Sequence, residues 1–184
     1  MSRIRLGSGL EPSTQMGPLI SAEHRAAVAD RALAAQAEGA RLVLGGGAPD
    51  DEALQRGFYY LPTLFTHCTP DMGVVREEIF GPVITVERFH TEEEAVRWAN
   101  DTDYGLSAGF RTRDPDRIQR VSRALRFGTV WVNDYNVYFA EAPWGGFKRS
   151  GIGRELGRAG LDEYTELKHI YESHAPTALD WFGS

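Results

Sequence analysis

VWVNDYNVYFAEAPWGGFKRSGIGRELG, residues 130–157, runs a strand, a ring-lined loop, a glycine pair and a helix start together. Val130 and Val132 alternate with Thr129 and Trp131 as in a buried strand, and Asn133 and Asp134 end it. Tyr135, Tyr138, Phe139, Trp144 and Phe147 then gather around Pro143 and Gly145-Gly146, where glycine permits a close backbone approach. Rings on a loop at the end of a strand suit a pocket wall.

Downstream, Gly151-Ile152-Gly153-Arg154-Glu155-Leu156-Gly157 imitates a dinucleotide fingerprint, but its last gap is one residue too long and no strand directly precedes it. Its glycines read as loop-to-helix packing, with Arg154 beginning the last helix and Lys148, Arg149, Arg154 and Glu155 available for structural ion pairs. Residues 166–171 read as a final strand, followed by a loose tail holding Trp181 and Phe182.

Upstream, residues 1–16 mix Ser, Gly, Pro and charge without period and read as an exposed lead-in. Ser21 caps a helix running towards Ala40, with Ala26, Ala29, Leu33 and Ala37 at helical spacing and Gly39 at the exit. A strand at residues 41–44 follows. Gly45-Gly46-Gly47 opens a loop; acidic Asp50, Asp51 and Glu52 follow it and no Lys-Ser/Thr pair does, so a plain turn is preferred to a phosphate cradle. Residues 58–65 are strand material interrupted by Pro62, and residues 83–89 form a second strand. Thr91 and Glu94 make a capping box for a helix with Ala95, Trp98 and Ala99 inward. Residues 106–110 form a short strand; Asp114-Pro115 opens a helix that Gly128 closes, and strand 129–133 comes next. Strands alternating with helices predict an α/β protein with a parallel sheet, whose ligands gather beyond the carboxyl ends of the strands.

The 184 residues, 42% of them hydrophobic, suffice for one domain that buries about 70% of the surface its unfolded chain exposes. A net charge of −6 argues against a nucleic-acid surface. One cysteine excludes an internal disulfide, and without a signal-type apolar run or a bilayer-length segment the expected location is cytoplasmic.

Glu77-Glu78-Ile79-Phe80-Gly81-Pro82 presents two carboxylates, a ring and a rigid turn just before a strand. A carboxylate accepts hydrogen bonds from paired ribose hydroxyls, and a ring offers a flat wall to a nicotinamide. The bland alternative is an exposed Glu pair and a core Phe. Trp144 has an indole face that attracts a quaternary ammonium, or is a partly buried structural Trp; Tyr135 and Tyr138 stand near enough in sequence to assist. Cys68 is the tempting nucleophile beside His67, yet its segment shows no oxyanion-hole device, and two residues cannot make a metal site.

The motifs GTVWVNDY (128–135), EAPWGGFKRSGIGRELG (141–157), Glu77–Pro82 and Tyr164-Thr165-Glu166-Leu167-Lys168 resemble, from about Gly17 onward, the C-terminal part of the catalytic domain in the aldehyde dehydrogenase superfamily, most closely the betaine aldehyde dehydrogenases. That resemblance implies that Glu78 holds the nicotinamide-side ribose, that Phe80 lines the same site, and that Trp144 belongs to an aromatic box for a trimethylammonium group, with Tyr135 and Tyr138 as lesser candidates. It also implies that Cys68 is not the family nucleophile, that the nucleophile, general base and nucleotide-binding domain map before Met1, and that no catalytic residue lies in this chain. Residues 1–184 are therefore expected to be a partial catalytic domain, with a lead-in at 1–16 and a C-terminal strand and tail at 166–184. The implied protein is a truncated or split NAD(P)-dependent dehydrogenase, oxidising an aldehyde to its acid only with the upstream half supplied. The other reading is a non-catalytic oligomerisation module or remnant. The implied cofactor is NAD or NADP, and the implied partners are a small aldehyde and either further copies of the chain or a complementing N-terminal half.

Overall fold

Ser21 has extended backbone and its hydroxyl accepts from the His24 amide, which starts helix α1, Ala22–Ala37. The structure is a computed structural model in which residues 1–175 are described. Those residues form two units, Met1–Thr102 and the chain from Asp103 onward.

In the first unit, α1 is followed by β1 (Arg41–Leu44), α2 (Glu52–Gln55), β2 (Thr63–Thr66), α3 (Gly73–Arg76), β3 (Val83–Val86) and α4 (Glu92–Asn100). Strands β2 and β3 are parallel from Thr63↔Val83 to Thr66↔Val86, while β1 lies antiparallel on the other side of β2. The parallel pair agrees with the expected α/β class; the antiparallel β1 is an addition that a turn-containing connection allows. The core packs α1 against this sheet through Val28, Ala32, Ala35, Tyr60 and Phe65, the last wholly buried. Of the expected Ala26, Ala29, Leu33 and Ala37, Ala29 packs against this core, while Ala26, Leu33 and Ala37 are exposed. Alanine offers nearly the same small side chain to several faces, so bulk at Val28 decides which one turns inward.

The predicted strand 58–65 begins only at Thr63, because Pro62 has no amide for a ladder. Gly45, at φ 76°, explains the triple glycine: a Cβ there would collide with the Pro62 carbonyl oxygen. Gly46 donates to the Thr63 hydroxyl at 2.9 Å, and that hydroxyl donates to the Leu61 carbonyl at 2.8 Å, so a fully buried Thr63 is satisfied. Thr91 caps α4 as expected, but the Glu94 carboxylate accepts from the His90 amide rather than from Thr91.

The second unit contains β4 (Tyr104–Gly105), β5 (Ser107–Phe110), α5 (Pro115–Ala124), β6 (Thr129–Val132), β7 (Phe147–Lys148) and α6 (Gly157–Asp162). Asp114 caps α5 by accepting from the Asp116 and Arg117 amides. The helix is the crossover between parallel β5 and β6, and β4 pairs with β7 antiparallel. Helix α5 ends at Ala124, before Gly128.

Two expectations fail here. The last helix begins at Gly157, not Arg154, because Glu155 and Trp144 exchange backbone hydrogen bonds of 2.7 Å in both directions and keep 155 extended. Residues 166–171 form no strand: no neighbouring strand among the described residues answers their backbone groups, and Leu167, Ile170 and Tyr171 stand in solvent. The tail at Trp181 and Phe182 lies outside the described residues. Among the described residues no helix is long and apolar enough to cross a membrane.

Candidate functional site

The segment between α3 and β3 separates the two neighbouring glutamates. Glu77 is engaged by the Arg31 guanidinium from α1, whereas the Glu78 carboxylate is exposed with no partner among the described residues. Ile79 packs on the core, and Phe80 is turned outward, 76% exposed, with φ of 53°. A left-handed conformation at a bulky residue is costly and persists only where neighbours enforce it.

Three contacts do so, two of them from His24. His24 Nε2 lies 2.7 Å from the Phe80 carbonyl oxygen, which can only accept, so Nε2 carries the hydrogen. The His24 and Phe80 rings meet edge to face, with centroids 5.8 Å apart. Gly81 lies so close to Val28 that a Cβ would come within 2.7 Å of its Cγ2. The core-Phe alternative is thereby excluded. A groove of about 520 Å³ runs beside this ring, lined also by Met16, Leu19, Tyr60 and Pro82. Tyr60 is buried, its hydroxyl has no partner among the described residues, and burial pushes its phenol above the ordinary value.

In the second unit the ring-lined loop is an ordered cluster. Trp131, buried on β6, meets Tyr135, Tyr138 and Trp144 at centroid separations of 5.4, 5.8 and 6.0 Å, and Tyr138 meets Trp144 edge-on at 4.6 Å. The Trp131 indole N–H donates to the Val137 carbonyl at 2.9 Å, and the Tyr138 hydroxyl donates to Asn136 Oδ1 at 2.7 Å. Tyr135 is 70% exposed and Tyr138 about half, while Trp144 is half-buried. Asn133, at φ 62°, accepts from the Thr112 amide at 2.8 Å and donates to its carbonyl at 2.9 Å. This amide pair ties together the carboxyl ends of β5 and β6, where the ring loop departs.

The structure therefore brings Trp144, Tyr135 and Tyr138 together, and leaves Glu78 and Phe80 both exposed in the connection between α3 and β3. Sequence reading missed Trp131 as the ring that touches the other three, because period-two alternation marks it only as inward. It missed His24 because nothing in the sequence around a helix start points to a loop residue 56 positions away.

Cys68 is buried, and its thiol is pushed up by burial and then by the negative charge of Glu87, although a hydrogen bond from the Val86 backbone pulls the other way. Such a thiol is a poor nucleophile near neutral pH. Among the charges after Gly146, Arg149 pairs with Asp103 at 3.2 Å, whereas the Arg154 guanidinium donates to the Gly146 and Gly153 carbonyls. Lys148 lies over the Phe127 ring, 5.5 Å from its centroid.

Comparison with known proteins follows the same lines. The profile of the aldehyde dehydrogenase family matches residues 1–170. The chain is 54% identical over 182 residues to betaine aldehyde dehydrogenase of Bacillus subtilis (strain 168), covering 99% of this chain and 37% of that protein. It is 46% identical over 170 residues to 4-trimethylaminobutyraldehyde dehydrogenase of Rattus norvegicus, covering 91% of this chain and 34% of the other. The crystal structure of betaine aldehyde dehydrogenase from Staphylococcus aureus in complex with NAD+ matches with a TM-score of 0.93 and 48% identity, over 100% of this chain and 36% of that one. The chain spans just over a third of the length of these relatives. With sequence and fold agreeing across nearly every described residue, this chain belongs to the aldehyde dehydrogenase family.

Proposed function

We propose that residues 1–184 are part of the catalytic domain of an NAD(P)-dependent dehydrogenase that oxidises a betaine-aldehyde-like substrate to its acid, and that they supply a cofactor edge and a substrate wall. The observation that carries this reading is Phe80, a large ring held outward in a strained conformation two residues from Glu78, whose exposed carboxylate has no partner among the described residues. An exposed acceptor pair and a flat apolar face fit a nicotinamide ribose and its ring. When bound, the nicotinamide accepts the hydride released by the substrate. Glu78 accepts from the ribose hydroxyls; Phe80 limits where the ring lies and keeps water from that face.

Trp144, Tyr135 and Tyr138 receive the substrate's cationic end, each face contributing about 0.5 to 2 kcal/mol of cation–π attraction. The two trimethylammonium-type relatives support this assignment. No group in this chain is assigned the nucleophilic or basic step. Cys68, the single cysteine, is buried with a raised pKa, so the reacting thiol and the carboxylate that activates water come from the part of the relatives that this chain does not span. The fit is to the nicotinamide end of either NAD or NADP; the relative crystallised with NAD+ favours NAD. A cytoplasmic setting, where a free thiol stays reduced, is consistent with this chemistry.

The test is complementation. Purified chain is mixed with the remaining upstream portion of the Bacillus subtilis relative, betaine aldehyde and NAD+, and reduced nicotinamide is followed. Turnover that falls at least about tenfold in Glu78→Gln is expected from the loss of a charge-assisted ribose contact. Turnover indifferent to Glu78 and Phe80, or none at any mixing ratio, overturns the reading.

The second reading, an assembly module, is favoured by one observation. Residues 166–171 belong to no helix or strand and pair with no strand among the described residues, with Leu167, Ile170 and Tyr171 exposed. Such a segment suits addition to the sheet edge of another copy.

A further inference from the structure

We propose that Trp131 is a positioning residue for recognition of the cation, acting through the rings it touches; the inference deepens the aromatic-wall reading above and rests on it. Of the four rings in the cluster, Trp131 is the buried one, at 8% exposure, and it is the ring that meets each of the other three. A buried indole does not offer its face to a solute. Its own position is set twice over. Its backbone lies in the β5–β6 ladder opposite Gly109, and its indole N–H donates to the Val137 carbonyl.

That second bond gives the residue its consequence. Around Tyr135 and Tyr138 the other hydrogen bonds are local, from the Tyr138 hydroxyl to Asn136 and from the Tyr135 amide to Asp134. The loop's further tie, from the Gly157 amide to the Ala140 carbonyl at 2.8 Å, lies beyond both tyrosines, so the indole bond at Val137 is the long-range anchor between them. Trp144 is held independently by its paired backbone bonds with Glu155. Removing the indole N–H therefore frees the two tyrosines while leaving Trp144 in place. Ring faces that converge on a cation add their attractions, and each falls steeply with distance and angle, so displaced tyrosine rings lower the preference for a cation over a neutral body of the same shape. Trp131 thus governs the preference for charge, whereas the apolar ring surface of the cluster governs affinity for bulk.

The experiment uses the whole chain, with tetramethylammonium chloride and tert-butanol as probes of similar shape and different charge, titrated while the tryptophan indole N–H resonances are followed by NMR. The wild-type chain is expected to prefer the cation, and Trp144→Leu to abolish that preference. In Trp131→Phe, which keeps a ring but loses the donor, the cation-over-neutral preference is expected to fall by about threefold or more, within the range of one displaced cation–π contact. Circular dichroism reports whether the fold survives.

A merely structural role weakens both probes alike; equal loss, or an unchanged preference, overturns the proposal. Preference lost in Trp144→Leu but retained in Trp131→Phe sinks Trp131 alone. Absence of preference in the wild-type chain sinks the aromatic-wall reading and this inference with it. Should Trp131→Phe fail to fold, the wild-type chain still decides. The Trp131 indole N–H is expected to resist hydrogen exchange and to stay unshifted while that of Trp144 moves on adding the cation. Free exchange, or an equal shift at Trp131, contradicts the proposal.

Discussion

His24, on the first turn of α1, grips Phe80 by both ends: its Nε2 bonds the Phe80 backbone carbonyl at 2.7 Å and its ring meets the Phe80 ring edge-on. The most exposed feature of the candidate cofactor edge is thus tied to a helix that contributes Val28, Ala32 and Ala35 to the core. Rigidity at the site is borrowed from the packing beneath it.

The strain at Phe80 makes stability and function separable. Phe80→Gly removes a left-handed non-glycine residue and is expected to raise stability by about 1 kcal/mol, because little packing is lost from so exposed a ring. His24→Ala is expected to lower it by about 1 kcal/mol through the lost hydrogen bond. Denaturant midpoints of the two variants check the opposite signs, and both are expected to weaken NAD+ binding in the complemented enzyme.

Trp144→Leu tests the substrate wall. In the complemented enzyme it is expected to raise KM for a trimethylammonium aldehyde by about tenfold, equivalent to about 1.4 kcal/mol. A neutral aliphatic aldehyde of similar length should be affected far less. Equal effects on both substrates would remove the cation-binding role.

The chain announces its own local devices. Ser21, Thr91 and Asp114 each precede a helix and each accepts from an amide of its first turn, as capping residues do when only near neighbours matter. What was not legible depends on distant partners. The antiparallel placement of β1, the inward face of α1, and the extended state of Glu155 are decided by Phe65, Val28 and Trp144, each reached only after folding. The site follows the same division. Glu78, Phe80 and Trp144 stand out in their motifs, while Trp131 and His24 acquire their parts through contacts that alternation and helix periodicity do not encode.

Cys68 and Tyr60 carry a pH signature. Burial raises both pKa values in the folded chain, so their contribution to stability is fully present below the unfolded-state values and is lost as pH rises through the folded ones. Stability is expected to decline from about pH 8.5 upward, where an unfolded thiol ionises, and the decline should flatten in a Cys68→Ala, Tyr60→Phe double variant. Tyr60→Phe also removes a hydroxyl that has no partner among the described residues, and is expected to leave stability unchanged or raise it by about 1 kcal/mol at neutral pH. Thermal melts from neutral to alkaline pH check both statements.

The exposed segment at residues 166–171 predicts association. Replacing Leu167 and Ile170 together with Lys is expected to shift the chain towards monomer in light scattering without altering its circular dichroism. Wild-type chain that is monomeric at high concentration would remove the assembly reading.

The most direct measurement is formation of reduced nicotinamide from betaine aldehyde and NAD+ by the purified chain with nothing added, in wild type and in Cys68→Ser. Because the chain's one thiol is buried and resistant to ionisation, the expected result is no turnover in either. Turnover by the wild type that disappears in Cys68→Ser would contradict the account at its root, since the chain would then carry its own nucleophile.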